Sequence, residues 1–415
     1  MKSSKIHFAA ARYWAIAKYS AYTLLITFWF GVSSNAQEVV KPEPVVEKKW
    51  YDQIRLRGYA QLRYNRLLET NPKLKCESCD KSIGENGGFF FRRIRLVFFG
   101  QISKNVYFYI QPDFASSASG TSLHFGQIRD AYVDVGLTDK NELKIRLGQS
   151  KVPYGFANMQ SSQNRLTLDR DDALNSAVPN ERDLGVMIYY TPDEKQKLYS
   201  HLVKDGLKGS GDYGILGFGV YNGQSANKPE LNNSLYAVAR ASYPFTFGKQ
   251  IIEASVQGYS GRWTQESFDP STVQSSDRTY IDKRAAVSLI LYPQPFGIQA
   301  EYNIGKGPQF NKTNNSIEER SLKGGYATFS YIINNASHIL IPFVRYQFYD
   351  GGKKSEVDAR SYLVKETEIG VEWSPVKSFE LTAMYTISSR RFEDFKVNDN
   401  LQEGNLLRIQ AQVNF

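Results

Sequence analysis

The sequence is poor in the residues that usually build catalytic and metal sites. It has two cysteines and four histidines among 415 residues, and the histidines (His7, His124, His201 and His338) are widely separated. A hydrolase triad needs a histidine beside a nucleophile, and a structural zinc site needs four thiolate or imidazole ligands. Ser122, two residues before His124, is the one pairing that a hydrolase hypothesis could use. We predict neither an enzyme nor a bound cofactor or metal.

Long apolar runs are also missing. The longest, residues 21–32, has about 12 residues, whereas a membrane-spanning helix needs roughly 20. It follows four basic residues and precedes Ser34-Asn35-Ala36, with no acid before Glu38. This pattern predicts a signal peptide over residues 1–36 with cleavage after Ala36, and its loss would lower the net charge of +9 by four. The charged, proline-containing residues 37–50 are expected to form a periplasmic leader.

The two cysteines, Cys76 and Cys79, lie in one polar segment. Export places them in an oxidising compartment, so a local disulfide that staples a surface loop is the simplest expectation. A redox C-x-x-C site would need a helix behind it, and a zinc site would need a second cysteine pair.

Aromatic residues are abundant although the chain as a whole is polar. Tyrosine (27), phenylalanine (25) and tryptophan (5) make up 14% of the sequence, while the mean hydropathy is −0.43. A membrane β-barrel with aromatic girdles and a wet lumen combines these two properties.

From residue 54 onward, apolar and polar residues alternate with a period of two. Such alternation places the two sets on opposite faces of a strand, one toward lipid and the other toward a lumen. In the first segment the apolar set is Ile54, Leu56, Gly58, Ala60, Leu62 and Tyr64, and the polar set is Arg55, Arg57, Tyr59, Gln61, Arg63 and Asn65. Segments near residues 93–101, 143–150 and 298–303 repeat it.

About 16 such segments are present, each close to the roughly 9–11 residues that a tilted membrane strand requires. Short connections alternate with long ones, as periplasmic turns alternate with extracellular loops in bacterial outer-membrane barrels. The exception, residues 192–212, is long where a short turn is due. We predict an all-β transmembrane antiparallel barrel over residues 51–415. The expected long loops are residues 67–88, 115–123, 152–181, 222–232, 264–277, 308–318, 350–360 and 392–402.

The last segment alternates most regularly and ends on the aromatic residue Phe415. It resembles the C-terminal signal by which outer-membrane barrels engage their insertion machinery. We therefore expect that machinery as a partner, together with outer-membrane lipid and lipopolysaccharide, in the outer membrane of a Gram-negative bacterium.

Basic residues occupy lumen-facing positions in the first part of the chain. Rings of arginine and lysine favour anions because they replace the water that an anion loses in a narrow pore. The alternative is that charges of both signs only keep the lumen hydrated, since Glu253, Glu301, Glu368 and Glu372 face the same way. The cationic candidates on the strands are Arg55, Arg57, Arg63, Arg93, Arg95, Lys144 and Arg146.

The third long loop, residues 152–181, is the predicted constriction, because a loop of this length can fold into the barrel. It contributes Arg165 and Arg170 to the predicted anion path, and Lys151 precedes it. Its acids would offset much of that positive potential. They are Asp169, Asp171, Asp172 and Glu181, with Asp183 just beyond.

Four segments resemble those of the phosphate-selective porins O and P. They are FFFRRIRLVFFGQI (89–102), YFYIQPDFA (107–115), IRDAYVDVGL (128–137) and IRLGQSKVPYGFANMQSSQNRLTLDRD (145–171). The resemblance runs from about residue 54 to the C-terminus. It implies a 16-stranded, typically trimeric barrel with inward-folded loops, and Arg93, Arg95 and Lys151 as anion-path residues. The acidic third loop and the absence of a dense lysine run depart from phosphate-specific members.

The function predicted from the sequence is passive diffusion of small hydrophilic solutes, with a preference for anions and possible use of phosphate or polyphosphate. The alternative is a barrel whose long outer loops act mainly as a binding surface in a larger complex. We expect a homotrimer and no nucleic-acid partner.

Overall fold

The computed structural model describes residues 49–71, 74, 88–115, 124–335, 337–393 and 400–415. The predicted signal peptide and most of the leader lie outside these residues, as do Cys76, Cys79 and Ser122. Most of the first expected long loop, residues 67–88, also lies outside them.

The described chain forms one closed antiparallel barrel of sixteen strands, so the predicted fold is confirmed. Each strand pairs with the next along the chain, and the last returns to pair with the first. The strands are β1 Arg55–Leu67, β2 Phe89–Ser103, β3 Val106–Asp113, β4 Gln127–Gly136, β5 Leu143–Lys151, β6 Arg182–Tyr190, β7 Leu216–Tyr221, β8 Tyr236–Phe247, β9 Gln250–Thr264, β10 Thr279–Leu291, β11 Phe296–Asn311, β12 Ser316–Tyr331 with its short continuation Ile333–Asn335, β13 His338–Gly352, β14 Ser361–Val376, β15 Phe379–Glu393 and β16 Asn400–Asn414.

Closure of the barrel involves the C-terminal residue itself. The Gly58 amide donates to the Phe415 carbonyl at 2.7 Å, and the Phe415 amide donates to the Gly58 carbonyl at 3.0 Å. A side chain at Gly58 would lie 2.6 Å from the Phe415 ring, so this close approach requires glycine. Closure leaves no unpaired strand edge in the bilayer, where an unsatisfied backbone group costs several kcal/mol.

The period of two separates the faces of the strands as expected. In β1, Tyr59, Gln61 and Arg63 are almost fully buried on the lumen side, whereas Leu56 and Leu62 are exposed on the outer wall. The interior is therefore not an aliphatic core. It is a packed arrangement of polar, charged and aromatic side chains around the loops that enter the lumen.

One predicted loop is a strand hairpin instead. Residues 308–318 were expected to form a long connection, but β11 and β12 pair without interruption from Phe296↔Tyr331 to Asn311↔Ser316. Only residues 312–315 connect them. Gly307 and Pro308 are residue types typical of turns, but here both lie within the paired strands. The strands continue above the hydrocarbon layer, where no apolar outer face is required.

In the described parts of the connections there are three short helices: α1 Phe156–Met159, α2 Asp172–Asn175 and α3 Asp193–Lys204. Single 3₁₀ turns occur at Trp50–Gln53, Pro179–Glu181 and Val357–Ala359. No helix among the described residues is long and apolar enough to cross a membrane. Helix α3 occupies the connection between β6 and β7, where the alternation of loop lengths had failed.

Candidate functional site

The connection between β5 and β6, residues 152–181, lies inside the barrel, and we call it the constriction loop. The Tyr154 hydroxyl donates to Asn303 Oδ1 on β11 at 2.5 Å. On the opposite wall, the hydroxyls of Ser162 and Tyr59 are 2.6 Å apart. Because β1 and β11 are separated by several strands in either direction, the loop crosses the lumen.

Backbone groups of the constriction loop are fixed by lumen side chains. Glu301 on β11 accepts hydrogen bonds from the amides of Phe156 and Ala157 at 2.7 and 2.8 Å, which satisfies the free N–H groups at the start of α1. Arg345 on β13 donates to Thr167 Oγ1 and to the Asp169 carbonyl, both at 2.9 Å. These bonds hold the constriction at two points of the barrel wall.

The acids of the constriction loop are used in ion pairs with the wall. Asp169 pairs with Arg63 at 3.4 Å and with Arg408. Asp172 pairs with Arg390 at 2.9 Å and with Lys353. The negative charge that the sequence placed in the constriction is therefore balanced by arginines on β1, β15 and β16 and by a lysine of the β13–β14 loop.

Glu181 ends the constriction loop in a cluster of guanidinium groups. It pairs with Arg129 at 3.0 Å, with Arg182 at 2.5 Å and with Arg170. Burial alone would raise the pKa of Glu181, but the surrounding guanidiniums, Arg170 foremost, hold it well below its usual range. The carboxylate therefore stays ionised and serves as a fixed counter-ion.

A cavity of about 530 Å³ opens on the extracellular side of the constriction loop, and we call it the vestibule. Among the residues that the structure describes, eight cationic and five acidic side chains line it. The cations are Arg92, Arg93, Arg95, Arg129, Arg165, Arg170, Lys228 and Lys353, and the acids are Asp113, Asp169, Asp172, Glu181 and Glu356. Each of these acids already has a cationic partner.

Two vestibule arginines have no carboxylate within ion-pair distance among the described residues. Arg93 donates to Gln61 Oε1 at 2.9 Å, and its Nε has no hydrogen-bond partner. Arg165 donates to the carbonyls of Thr167 and Leu168, and its Nη1 has no partner. Burial lowers the pKa of Arg165 to about 10, which still leaves the group charged at neutral pH. Both side chains line the vestibule, so their positive charge acts on its interior without a carboxylate beside it among the described residues.

Of the other predicted residues, two more line the vestibule. Arg95 is bound by Asp113 at 2.8 Å and also donates to Tyr59 and Ser162. Arg170 donates to the Ala157 carbonyl at 3.0 Å in addition to its pair with Glu181. Both line the vestibule, but their charges are paired with these acids, and both side chains are part of the scaffold.

Lys144 and Arg146 lie away from the vestibule, near the periplasmic end of β5. Lys144 pairs with Asp212 at 2.8 Å. Arg146 forms a bidentate pair with Asp134 at 2.7 and 2.8 Å and stacks 3.8 Å from the centre of the Tyr132 ring. Their charges are neutralised locally, so the structure does not place them with the other anion-path candidates.

Lys151, Arg55 and Arg57 are also separate from the vestibule. The Lys151 ammonium is buried and donates to the carbonyls of Met159 and Gln160 at 2.7 and 3.0 Å, so it supports the constriction loop. Arg55 and Arg57 are exposed at the periplasmic start of β1. A role of these residues in anion passage remains a prediction from the sequence.

The helix between β6 and β7 is a second element in the lumen, which the sequence interpretation missed. Tyr199 and Leu202 of α3 are buried against Phe156 of the constriction loop and against Ile251 and Tyr292 on the periplasmic ends of the wall. The signals were present: Asp193 and Glu194 open the helix, apolar residues recur at helical spacing, and Gly206, with φ of 71°, follows its end.

After α3, residues 205–214 cross to the far wall, and we call residues 191–215 the periplasmic strap. Lys208 pairs with Glu372 on β14 at 2.6 Å, and its carbonyl accepts from Gln160 of the constriction loop at 2.7 Å. Glu372 is four residues closer to the periplasm than Glu368, the partner of Arg345. The strap therefore lies one level below the constriction loop.

The family described as phosphate-selective porin O and P matches residues 75–415. The chain belongs to this family. It is therefore an outer-membrane channel for small solutes, and its family and fold are those of channel proteins rather than typical enzymes.

Solved structures similar to this porin are also outer-membrane proteins. The outer-membrane channel DcaP of Acinetobacter baumannii is 16% identical, with a TM-score of 0.54 over 87% of this chain and 97% of that one. An anion-selective porin from Comamonas acidovorans is 10% identical, with a TM-score of 0.51 over 87% and 99%. OmpT of Vibrio cholerae, in a trimer form, is 12% identical, with a TM-score of 0.50 over 88% and 100%. A search of the curated proteins found no significant match.

The pH dependence of the constriction loop can be predicted from Asp171, which caps α2 by accepting from the Leu174 amide at 2.8 Å. Burial, and then the nearby Glu301, raise the pKa of Asp171 from 3.8 to about 7. Between these values the folded state binds a proton that the unfolded chain releases, so stability falls as pH rises from about 4 to about 7.

An Asp171→Asn variant keeps the cap and cannot ionise. We expect it to unfold a few degrees above the wild type at pH 8, with the difference lost near pH 4.5. Heat-dependent migration of the folded barrel on gels, measured across this range, checks the prediction. Equal pH slopes for the two proteins would contradict it.

Proposed function

We propose that this porin passes small anions in preference to cations, and that phosphorylated solutes are among them. The observation that supports the proposal is the vestibule, where Arg93 and Arg165 have no carboxylate partner in the described part of the chain. A cavity lined by uncompensated positive charge raises the local concentration of anions and lowers that of cations.

The residue type in the vestibule favours oxyanions. The planar guanidinium can donate two parallel hydrogen bonds to a phosphate or carboxylate, which an ammonium group cannot do. In the sequence, the acids of the constriction loop argued against phosphate. That argument is weaker in the structure, because Asp169 and Asp172 are paired with cations of the wall. Each site must still bind weakly enough for the solute to leave.

The reversal potential of the purified mature protein in a planar bilayer under a KCl gradient tests the anion preference. We expect chloride to be at least about fivefold more permeant than potassium at low salt, with the ratio falling as salt screens the vestibule. Phosphate added to the extracellular side should reduce the chloride current. A reversal potential near zero with no effect of phosphate would leave an unselective porin.

A trimer is the second part of the proposal. It rests on the resemblance of the fold to OmpT of Vibrio cholerae, whose structure is a trimer form, and on the family. Current steps that close in three equal levels, and a detergent-corrected mass of three chains in light scattering, are the expected results. A single level with the mass of one chain would refute it.

A further inference from the structure

Four cationic side chains form a patch on the outside of the barrel, on neighbouring strands. Lys283 on β10 lies directly opposite Lys306 on β11. Lys323 on β12 and Arg262 on β9 occupy diagonal positions next to them, because Ile304 pairs with Lys323 and Ser260 pairs with Lys283. All four alternate with buried lumen residues, so they face outward. We call these four residues the outer basic patch.

The outer basic patch lies at the outer boundary of the hydrocarbon layer. Counted from the periplasmic end of each strand, Lys283 and Lys323 are the ninth residues and Lys306 is the eleventh. A tilted strand crosses the hydrocarbon with about 9–11 residues. The outward positions just below carry exposed Val287, Tyr302 and Ile304, as expected for the apolar band.

The charges of the patch are only partly balanced. Lys306 pairs with Glu319 at 2.9 Å, and Arg262 lies 3.9 Å from Asp277. Among the described residues, Lys283 has no ion pair or hydrogen bond, and neither does Lys323, although Asp350 is its cross-strand neighbour. Like charges directly opposite on adjacent strands repel. Glu319 offsets the charge of Lys306, but Lys283 opposite it still lacks a counter-charge among the described residues.

We propose that the outer basic patch binds the phosphate groups of an anionic lipid in the outer leaflet, the chemistry that lipopolysaccharide presents. Lysines at this depth place their stems along the apolar wall and their ammonium groups at the headgroup level. A headgroup phosphate supplies the missing counter-charge, and the acyl chains lie on the apolar band below. The site is outside the pore and therefore independent of the selectivity of the vestibule.

Native mass spectrometry of the purified full-length porin, released from detergent after incubation with lipid A, tests the proposal. We expect lipid A to stay bound to the wild type and the Lys283→Gln/Lys306→Gln/Lys323→Gln variant to retain at least about tenfold less. The corresponding triple arginine variant should bind like the wild type. Dephosphorylated lipid A should bind the wild type no better than lipid A binds the triple glutamine variant.

The matched control removes three exposed lysines from the periplasmic turns, Lys104→Gln/Lys249→Gln/Lys377→Gln, with the same change in net charge. This control should retain lipid A, and all variants should keep the heat-dependent gel migration and conductance of the wild type. Equal lipid A binding by the two triple glutamine variants would overturn the proposal. So would undiminished binding of the dephosphorylated lipid, or displacement of lipid A by millimolar inorganic phosphate, which would indicate a site for the free ion.

Discussion

Removing the periplasmic strap should raise the single-channel conductance about twofold, because the lumen then retains one of two obstructions that act as resistances in series. The strap packs against one wall through Leu202 and is paired with the other through Lys208. The carbonyl of Lys208 also accepts a hydrogen bond from Gln160 of the constriction loop. Its ends can be rejoined, since Tyr190 and Leu216 are cross-strand neighbours. An Asn-Gly pair in place of residues 191–215 would form the two-residue loop of a tight hairpin turn.

A milder variant unlatches the strap without shortening the chain. Lys208→Ala alone would leave Glu372 buried without its partner, so the second change Glu372→Gln is made with it. We expect more frequent excursions to a higher conductance level, with the full increase seen only in the deletion. Lys197→Ala, on the exposed face of α3, is the control and should behave as the wild type. Unchanged conductance in the deletion variant would show that the strap does not limit the current.

The barrel itself could be predicted from the sequence because strand periodicity is a local property. Each strand shows its two faces within about ten residues. The last strand, which closes the barrel on β1, is recognisable from its alternation and from the terminal Phe415. The same reliance on local alternation is why the sequence prediction missed the extracellular end of the β11–β12 hairpin. Above the bilayer, alternation no longer marks a strand, and Gly307 and Pro308 suggest a turn.

The pore could be predicted in composition but not in arrangement. Arg93, Arg95, Arg165 and Arg170 were identified, and the structure brings them together around one cavity. The pairing of the loop acids with wall arginines could not be foreseen, since it joins residues that are 106 to 239 positions apart in the sequence. That pairing decides which arginines keep an unused charge. Lys144 and Arg146 lie outside the vestibule, at the periplasmic end of β5, and pair with Asp212 and Asp134.

Replacing both unpaired vestibule arginines should lower the anion-to-cation permeability ratio more than any other pair of charge changes in the lumen. One charge about 5 Å from a passing ion contributes on the order of 0.8 kcal/mol in water, before screening by salt. Two such charges lost together predict a decrease of about fivefold to tenfold in the Arg93→Gln/Arg165→Gln variant. Glutamine retains a hydrogen-bond donor toward Gln61 and the loop carbonyls, so the constriction should stay folded.

Three control variants separate the effect of charge in the vestibule from other effects. The Arg93→Lys/Arg165→Lys variant keeps the charge but loses the bidentate donor geometry, so it should preserve chloride selectivity and weaken only the block by phosphate. Lys249→Gln, in an exposed periplasmic turn, should change neither. Lys151→Ala should disturb gating more than selectivity, because its ammonium holds the Met159 and Gln160 carbonyls of the constriction loop. If the double glutamine variant kept the reversal potential of the wild type, the vestibule would not be the selectivity filter. The preference would then have to arise from the other charges along the lumen.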